Sequence, residues 1–275
     1  MKRHYPTYVQ SIGLILLMIP IGVVPILFLA AFHVIESTLA IVGVYSVIMS
    51  LTIVAGLNFR RDFTFSWGTF PVSVLIIAFA FLISSHLILE PLTSNIPPPE
   101  GLQKAFSELI QMPMLAFIMI VVLAPLLEEL LFRGIILDGY LKNYSPVNSI
   151  LISAFLFALI HGNIAQGIGA FLMGVVAGVF YWRTKSLLFC IALHFSNNFT
   201  GYVTMMMDPE SLSSERTLRQ SINNDLIYFA IYLTLCLIFT ASGWYLWVNY
   251  VNPFRELFTR KPVVISETAS SDQVE

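Results

Sequence analysis

Eight apolar runs divide the chain, near residues 9–32, 36–57, 70–90, 114–137, 147–166, 167–182, 186–207 and 226–250. An α-helix needs about 20 such residues to cross the hydrocarbon core of a bilayer. In lipid the backbone must satisfy its own N–H and C=O groups, so apolar runs of this length predict helices. The fifth and sixth runs are parted only by a short polar link around Gly162, Asn163 and Gln166. The expected fold class is all-α, a polytopic bundle of about eight transmembrane helices.

The cations between the runs test this count, because positive residues gather on the cytoplasmic side. With the N-terminus inside, that side receives Lys2, Arg3, Arg60, Arg61, Arg133, Lys142, Arg183, Lys185, Arg255, Arg260 and Lys261. The outside receives Lys104, Arg216 and Arg219. Eleven of the 14 cations thus fall on one side, which a miscounted span would scramble. Both termini are expected in the cytoplasm. Residues 1–260 form one transmembrane domain, and the polar, Ser-rich tail 261–275 is expected to be disordered. Its last residues, Asp272 to Glu275, carry no cysteine, so the chain is not itself expected to be prenylated.

Composition agrees. Hydrophobic residues make up 57% of the 275 and charged residues 11%, with a mean hydropathy of +0.81. Soluble domains carry about 25% charged residues. No basic patch of the kind nucleic acid requires is present. Cys190 and Cys236 lie inside apolar runs without a CxxC pair, so neither a disulfide framework nor a thiolate metal site is indicated. The start Lys2-Arg3-His4 followed by a long apolar run reads as a retained span rather than a cleaved leader. Pro20 and Pro25 are expected to kink that span. Gly174 and Gly178 form a GxxxG step suited to close helix contact. Outside, Pro97-Pro98-Pro99 ends a loop, Gly101 to Gln111 reads as a short amphipathic segment, and a second loop runs from Asp208 to Asp225.

Against this background the run 114–137 is anomalous. It contains Glu128-Glu129-Leu130-Leu131-Phe132-Arg133. A charge at bilayer depth costs roughly 2.5–3.5 kcal/mol on insertion scales, so each of these side chains needs a partner or a task. Glu129 and Arg133 are four apart and can pair on one helix face. Glu128 points about 100° away and is not served by the same arginine. It is therefore a candidate general base. Pro125, one turn earlier, frees a carbonyl and kinks the helix beside Glu128. Two later runs each carry a histidine with a partner four residues away: Phe157 with His161, and His194 with Asn198. At 1.5 Å per residue, Glu128 lies about 21 Å above Lys142 and His161 about 22 Å above Pro146. His194 lies only about 12 Å above Ser186 and should sit nearer the cytoplasm unless its helix tilts.

The ordered set Glu-Glu-x-x-x-Arg, Phe-x-x-x-His and His-x-x-x-Asn resembles the CAAX-protease and bacteriocin-processing family (CPBP, also called Abi), which includes the type II CAAX prenyl endopeptidases. The resemblance covers about 114–203, taken as the catalytic core. A weaker small-residue motif matches around Phe171 to Gly178. The resemblance implies intramembrane hydrolysis of a peptide bond, in a CAAX-type or leader-type substrate that is prenylated or not. It assigns Glu128 as general base and His161 to the water. His194 and Asn198 stabilise the oxyanion, while Glu129, Arg133 and Phe157 give structural support. Glu128, His161 and His194 are a candidate set for a divalent metal such as zinc. The chain lacks His-Glu-x-x-His, however, and the chemistry does not require an ion. Peptide substrate and lipid bilayer are the implied partners, and family habit points to a bacterial plasma membrane. Two other readings compete: a non-catalytic bacteriocin-immunity or scaffold protein, and a proton-coupled carrier. Buried ionisable groups also mark ion pathways, but the chain shows no internal repeat of the kind many carriers have. His86 and Glu90, like His33 and Glu36, read as interfacial. Asn143 and Asn163 read as helix-end residues. Tyr181, Ser196 and Asn197 are able to line the site, but no pattern selects them.

Overall fold

The computed structural model describes residues 5–19, 21, 38–59, 64–93, 96, 99–207, 222 and 224–251. Several expectations fall outside these residues: the kinks at Pro20 and Pro25, the turn with His33 and Glu36, Pro97-Pro98, most of the loop after Met207, and the tail. So do the cations Lys2, Arg3, Arg60, Arg61, Arg216, Arg219, Arg255, Arg260 and Lys261.

Nine helices run through the described residues: α1 (Tyr8–Leu16), α2 (Thr38–Asn58), α3 (Val72–Thr93), α4 (Glu100–Ile110), α5 (Pro113–Asn143), α6 (Pro146–Leu159), α7 (Ile164–Thr184), α8 (Leu187–Met207) and α9 (Asp225–Leu246). Among these residues no strand forms, and the one strand-like pairing is an isolated bridge between Trp67 and Ser186. The protein is all-α, as expected. By length and composition, α3, α5, α7 and the span Asp225–Tyr250 are able to cross a membrane. Their outer faces agree: Ile76 on α3 and Phe229 and Leu237 on α9 are more than half exposed. An apolar surface of that kind suits lipid contact. This is a multi-pass membrane protein.

Local signals set the helix ends. Thr7 caps α1 through a reciprocal box with Gln10. Asn163 caps α7 by accepting from the Ala165 N–H at 3.0 Å. The fifth run, expected to continue to 166, instead ends at Leu159. Gly162 supplies φ +62° in the turn that follows, a conformation glycine adopts without steric cost. His161 therefore sits in the turn, not within a span.

The GxxxG step packs α7 closely against α6. A Cβ on Gly174 would lie 2.9 Å from the Ala154 Cβ, and one on Gly178 would lie 2.9 Å from Ile150. α6 and α7 thus approach as nearly backbone to backbone as small residues allow.

Five segments gather at one end of the bundle. Tyr8 stacks on Tyr144, with centroids 3.7 Å apart, and Ser11 hydrogen-bonds Tyr140. The Leu187 N–H donates to Ser66 O at 3.0 Å, and the Ser186 hydroxyl donates to Gly68 O. Arg183 Nε donates to Tyr250 O at 2.6 Å. Asp138 pairs with Lys142 at 2.9 Å and Lys185 at 3.5 Å. The start of α1, the α2–α3 link, the end of α5, the α7–α8 turn and the end of α9 therefore share one level. The link 64–70 also covers the start of α8, where Ser186 and Leu187 are fully buried. α8 thus begins inside the bundle rather than at its rim.

Candidate active site

α5 is not a uniform helix. Its middle piece, Ala124–Glu129, is α-helical, but π-helical stretches flank it at Phe117–Leu123 and Leu130–Leu137. Wide turns of this kind cluster at functional sites because they re-aim side chains. The expected disturbance at Pro125 is thus present as a change of helical register. Glu128 and Glu129 lie between the two wide stretches.

Glu129 and Arg133 form the pair read from their spacing. Arg133 Nη1 lies 2.7 Å from Glu129 Oε1, and both side chains are at most 1% exposed. The guanidinium also stacks over Phe157, 4.6 Å from its centroid. The spacing did not show that Glu129 has a second partner. His194 Nδ1 lies 2.9 Å from the same Oε1. A carboxylate only accepts, so Nδ1 carries the proton. Glu129 therefore ties α8 to α5 as well as holding the arginine.

Glu128 faces the other way. Tyr45, on α2, donates its hydroxyl to Glu128 Oε1 at 2.5 Å. His194 Nε2 lies 3.7 Å from Glu128 Oε2. The expectation that His194 sits nearer the cytoplasm does not hold. α8 starts inside the bundle, under the link 64–70, and this brings His194 level with Glu128. Tyr45 was missed. The one signal available was a lone phenol in an apolar run, a group that seeks a partner when buried.

His161 is oriented by the end of α6. Its own N–H turns to Ala158 O at 3.3 Å, so Phe157 O lacks the usual helical donor. His161 Nδ1 lies 2.8 Å from that carbonyl and donates to it, leaving Nε2 as the second functional nitrogen. Phe157 is fully buried and is the hub of the site. Its ring meets His161 edge-on at 4.9 Å, His194 at 5.7 Å and Phe132 at 5.0 Å.

Glu128, His161, His194 and Asn198 all line one cavity of about 320 Å³, together with Tyr45 and Gln166. Its remaining wall is apolar, with Leu102, Phe106 and Leu109 from α4 and Met119 and Ile120 from α5. The expected amphipathic segment is thus α4, packed over the site. A second cavity of about 300 Å³ shares His161, Gln166, His194 and Asn198 and adds His86, Thr93 and Asn197. His86 and Asn197 therefore join the site, and His86 packs against Gly169. Tyr181 does not join it, since its hydroxyl donates to Asp138 at the charged end. A larger apolar groove of about 420 Å³ on α6 and α7 carries no titratable side chain.

Among the described residues, no group of three or more His, Cys, Asp or Glu side chains is arranged to hold a metal ion. Glu128, His161 and His194 line one cavity, and each histidine turns Nδ1 to an oxygen, which leaves Nε2 to face the cavity.

Residues 110–200 match the family described as Rce1-like, type II CAAX prenyl endopeptidase Rce1-like. The matched third of the chain holds Glu128, Glu129, Arg133, Phe157, His161, His194 and Asn198, so the resemblance read from the motifs and this match agree. Over this segment the chain is similar to that family of endopeptidases. No curated protein and no solved structure matches the chain.

Proposed function

We propose that this protein is an intramembrane endopeptidase. The observation that carries the reading is the convergence of Glu128, His161, His194 and Asn198, from two helices and a turn, on one largely apolar cavity. Such a cavity holds a peptide, excludes bulk water and keeps its polar groups at one place.

Glu128 is the general base. It takes a proton from water as the water oxygen bonds to the scissile carbonyl carbon, and the carbonyl electron pair moves onto oxygen. His161 orients that water through Nε2. Asn198, and His194 with a proton on each ring nitrogen, donate to the oxyanion. Each such donor is worth about 2.7–4 kcal/mol in the transition state. Collapse re-forms the C=O bond and breaks C–N, and Glu128 passes its proton to the departing amine. Glu129, Arg133 and Phe157 hold His194 and α5 in place. The substrate is a membrane-proximal peptide of CAAX or leader type, reaching the cavity under α4.

Eight spans with both termini in the cytoplasm suit this site. The five segments gathered near Lys142 and Lys185 then form the cytoplasmic end. Residues 1–260 act as one domain with a catalytic core near 114–203, and the setting is a bacterial plasma membrane.

The test is cleavage of quenched C-terminal CAAX-type peptides, with and without a prenyl group, by the purified full chain in detergent. Wild type should cleave. Glu128→Gln and His161→Ala should each lose at least about 100-fold in kcat. A metal chelator should leave the wild-type rate unchanged. Folded wild type that leaves every peptide intact would overturn the protease reading in favour of an immunity or scaffold role.

A further inference from the structure

The position of the Asn198 amide traces to a missing hydrogen in α5. The first wide stretch of α5 changes register: the Phe117 N–H still reaches Pro113 O and Met114 O, and by its end the N–H reaches five residues back. The last donor in this register is Ala124, whose N–H goes to Met119 O. The next pair would be residue 125 with Ile120. Residue 125 is proline, which has no N–H. Ile120 O is thereby left without its helical donor, inside a membrane bundle where such a group must find another. Asn198 Nδ2, from α8, supplies it at 2.8 Å.

This contact decides which way the amide faces. A carbonyl oxygen only accepts, so the Asn198 atom against Ile120 O is nitrogen and not oxygen. At its other end Asn198 Oδ1 accepts from Asn197 Nδ2 at 3.3 Å. The amide is pinned from both ends while lining the cavity beside Glu128 and His194. Its NH2 group has two donors. Ile120 O uses one, and the second remains to serve an oxyanion.

We propose that Pro125 is a positioning residue for Asn198. Its missing N–H leaves Ile120 O free to orient the amide donor. This deepens the protease reading and rests on it for its kinetic consequence. In Pro125→Ala the restored backbone N–H competes for Ile120 O, and the amide loses its anchor. The helix itself is not weakened, because a proline inside a helix is replaced by a good helix former.

The experiment uses the full chain in detergent, with Pro125→Ala, Asn198→Ala and the double variant. Pro125→Gly, which also restores the N–H, is a second variant should Pro125→Ala fail to fold. In Pro125→Ala, kcat should fall about 10- to 100-fold, short of or equal to the loss of a whole oxyanion donor. KM should stay within about two-fold, as expected for an interaction made in the transition state. The thermal midpoint should be unchanged or higher. The double variant should be no slower than Asn198→Ala alone. In protein labelled with [15N]asparagine, the side-chain amide signals of Asn198, assigned as those absent from Asn198→Ala, should shift in Pro125→Ala. A folded variant with wild-type kcat and unshifted Asn198 signals overturns the proposal. So does a double variant in which the two losses multiply, since Pro125 would then act apart from Asn198. If wild type cleaves no peptide, the protease reading fails on its own account. The amide signals then decide the positioning alone.

Discussion

Tyr45 donates a 2.5 Å hydrogen bond to Glu128 Oε1 across 83 residues of sequence. It lies outside the 110–200 segment that matches the protease family. Glu128, the proposed general base, is therefore held by a helix outside the matched segment. With Oε1 committed to Tyr45, Oε2 is the oxygen turned toward His194. Hydrogen bonds to charged groups are worth about 1.5–3 kcal/mol, so Tyr45→Phe should lower kcat about 10- to 100-fold. KM should stay nearly constant, because the hydroxyl serves the base. Steady-state cleavage of the quenched peptide measures both. A large rise in KM with unchanged kcat would instead make Tyr45 a substrate contact.

Arg133 is the buried cation that makes Glu129 tolerable. Removing it leaves a fully buried carboxylate served only by His194. Breaking a buried pair from one side costs about 3–5 kcal/mol, so Arg133→Leu should lower the thermal midpoint sharply. Replacing both partners by apolar groups is often far milder. Glu129→Leu/Arg133→Leu should thus recover much of the midpoint without recovering activity, since His194 has lost its Nδ1 acceptor. Thermal unfolding in detergent, followed by the monodisperse fraction, compares the three proteins. A double variant as unstable as Arg133→Leu would refute this account of the pair.

Contacts between residues four apart and the small-residue step between two helices were legible in the sequence, and polar contacts between helices were not. Glu129–Arg133 and Phe157–His161 follow from four-residue spacing, which places side chains on one face. The GxxxG step follows from the need of close helices for small residues. Tyr45–Glu128 and His194–Glu129 depend on how separate helices rotate and on their depth, and neither is written in local pattern. The estimate of His194's depth failed because the length of α8 was measured from a surface that 64–70 covers. The change of register in α5 was visible only as Pro125. A proline shows which N–H is missing, but not whether the helix around it counts by four or by five.

The α6–α7 contact gives a stability test away from the chemistry. A methyl on Gly174 would lie 2.9 Å from the Ala154 Cβ and 3.0 Å from its Cα. Backbone cannot rotate aside, so Gly174→Ala must separate the helices. Overpacking of this kind costs about 1–3 kcal/mol. Gly101→Ala is the control, because nothing lies within 4 Å of its added methyl. In a helix that control should be neutral or stabilising by about 0.5–1 kcal/mol. Equal midpoints for the two variants would show that α6 and α7 are not in backbone contact.

Gly162 tests whether the turn after α6 serves His161. Its φ is +62°, and nothing lies within 4 Å of an added Cβ. Gly162→Ala therefore meets no clash, only the strain of a left-handed conformation, about 1–2 kcal/mol. Relief of that strain would move the turn, and His161 is the adjacent residue. The Nδ1 bond to Phe157 O would loosen, and with it the ring orientation that leaves Nε2 for water. Asparagine adopts the left-handed region more readily than alanine. Gly162→Asn should thus retain more activity than Gly162→Ala, although it is the larger side chain. Thermal midpoint and kcat measured on both variants separate the causes. If kcat falls with side-chain size instead, the turn matters for the space it leaves rather than for its backbone conformation.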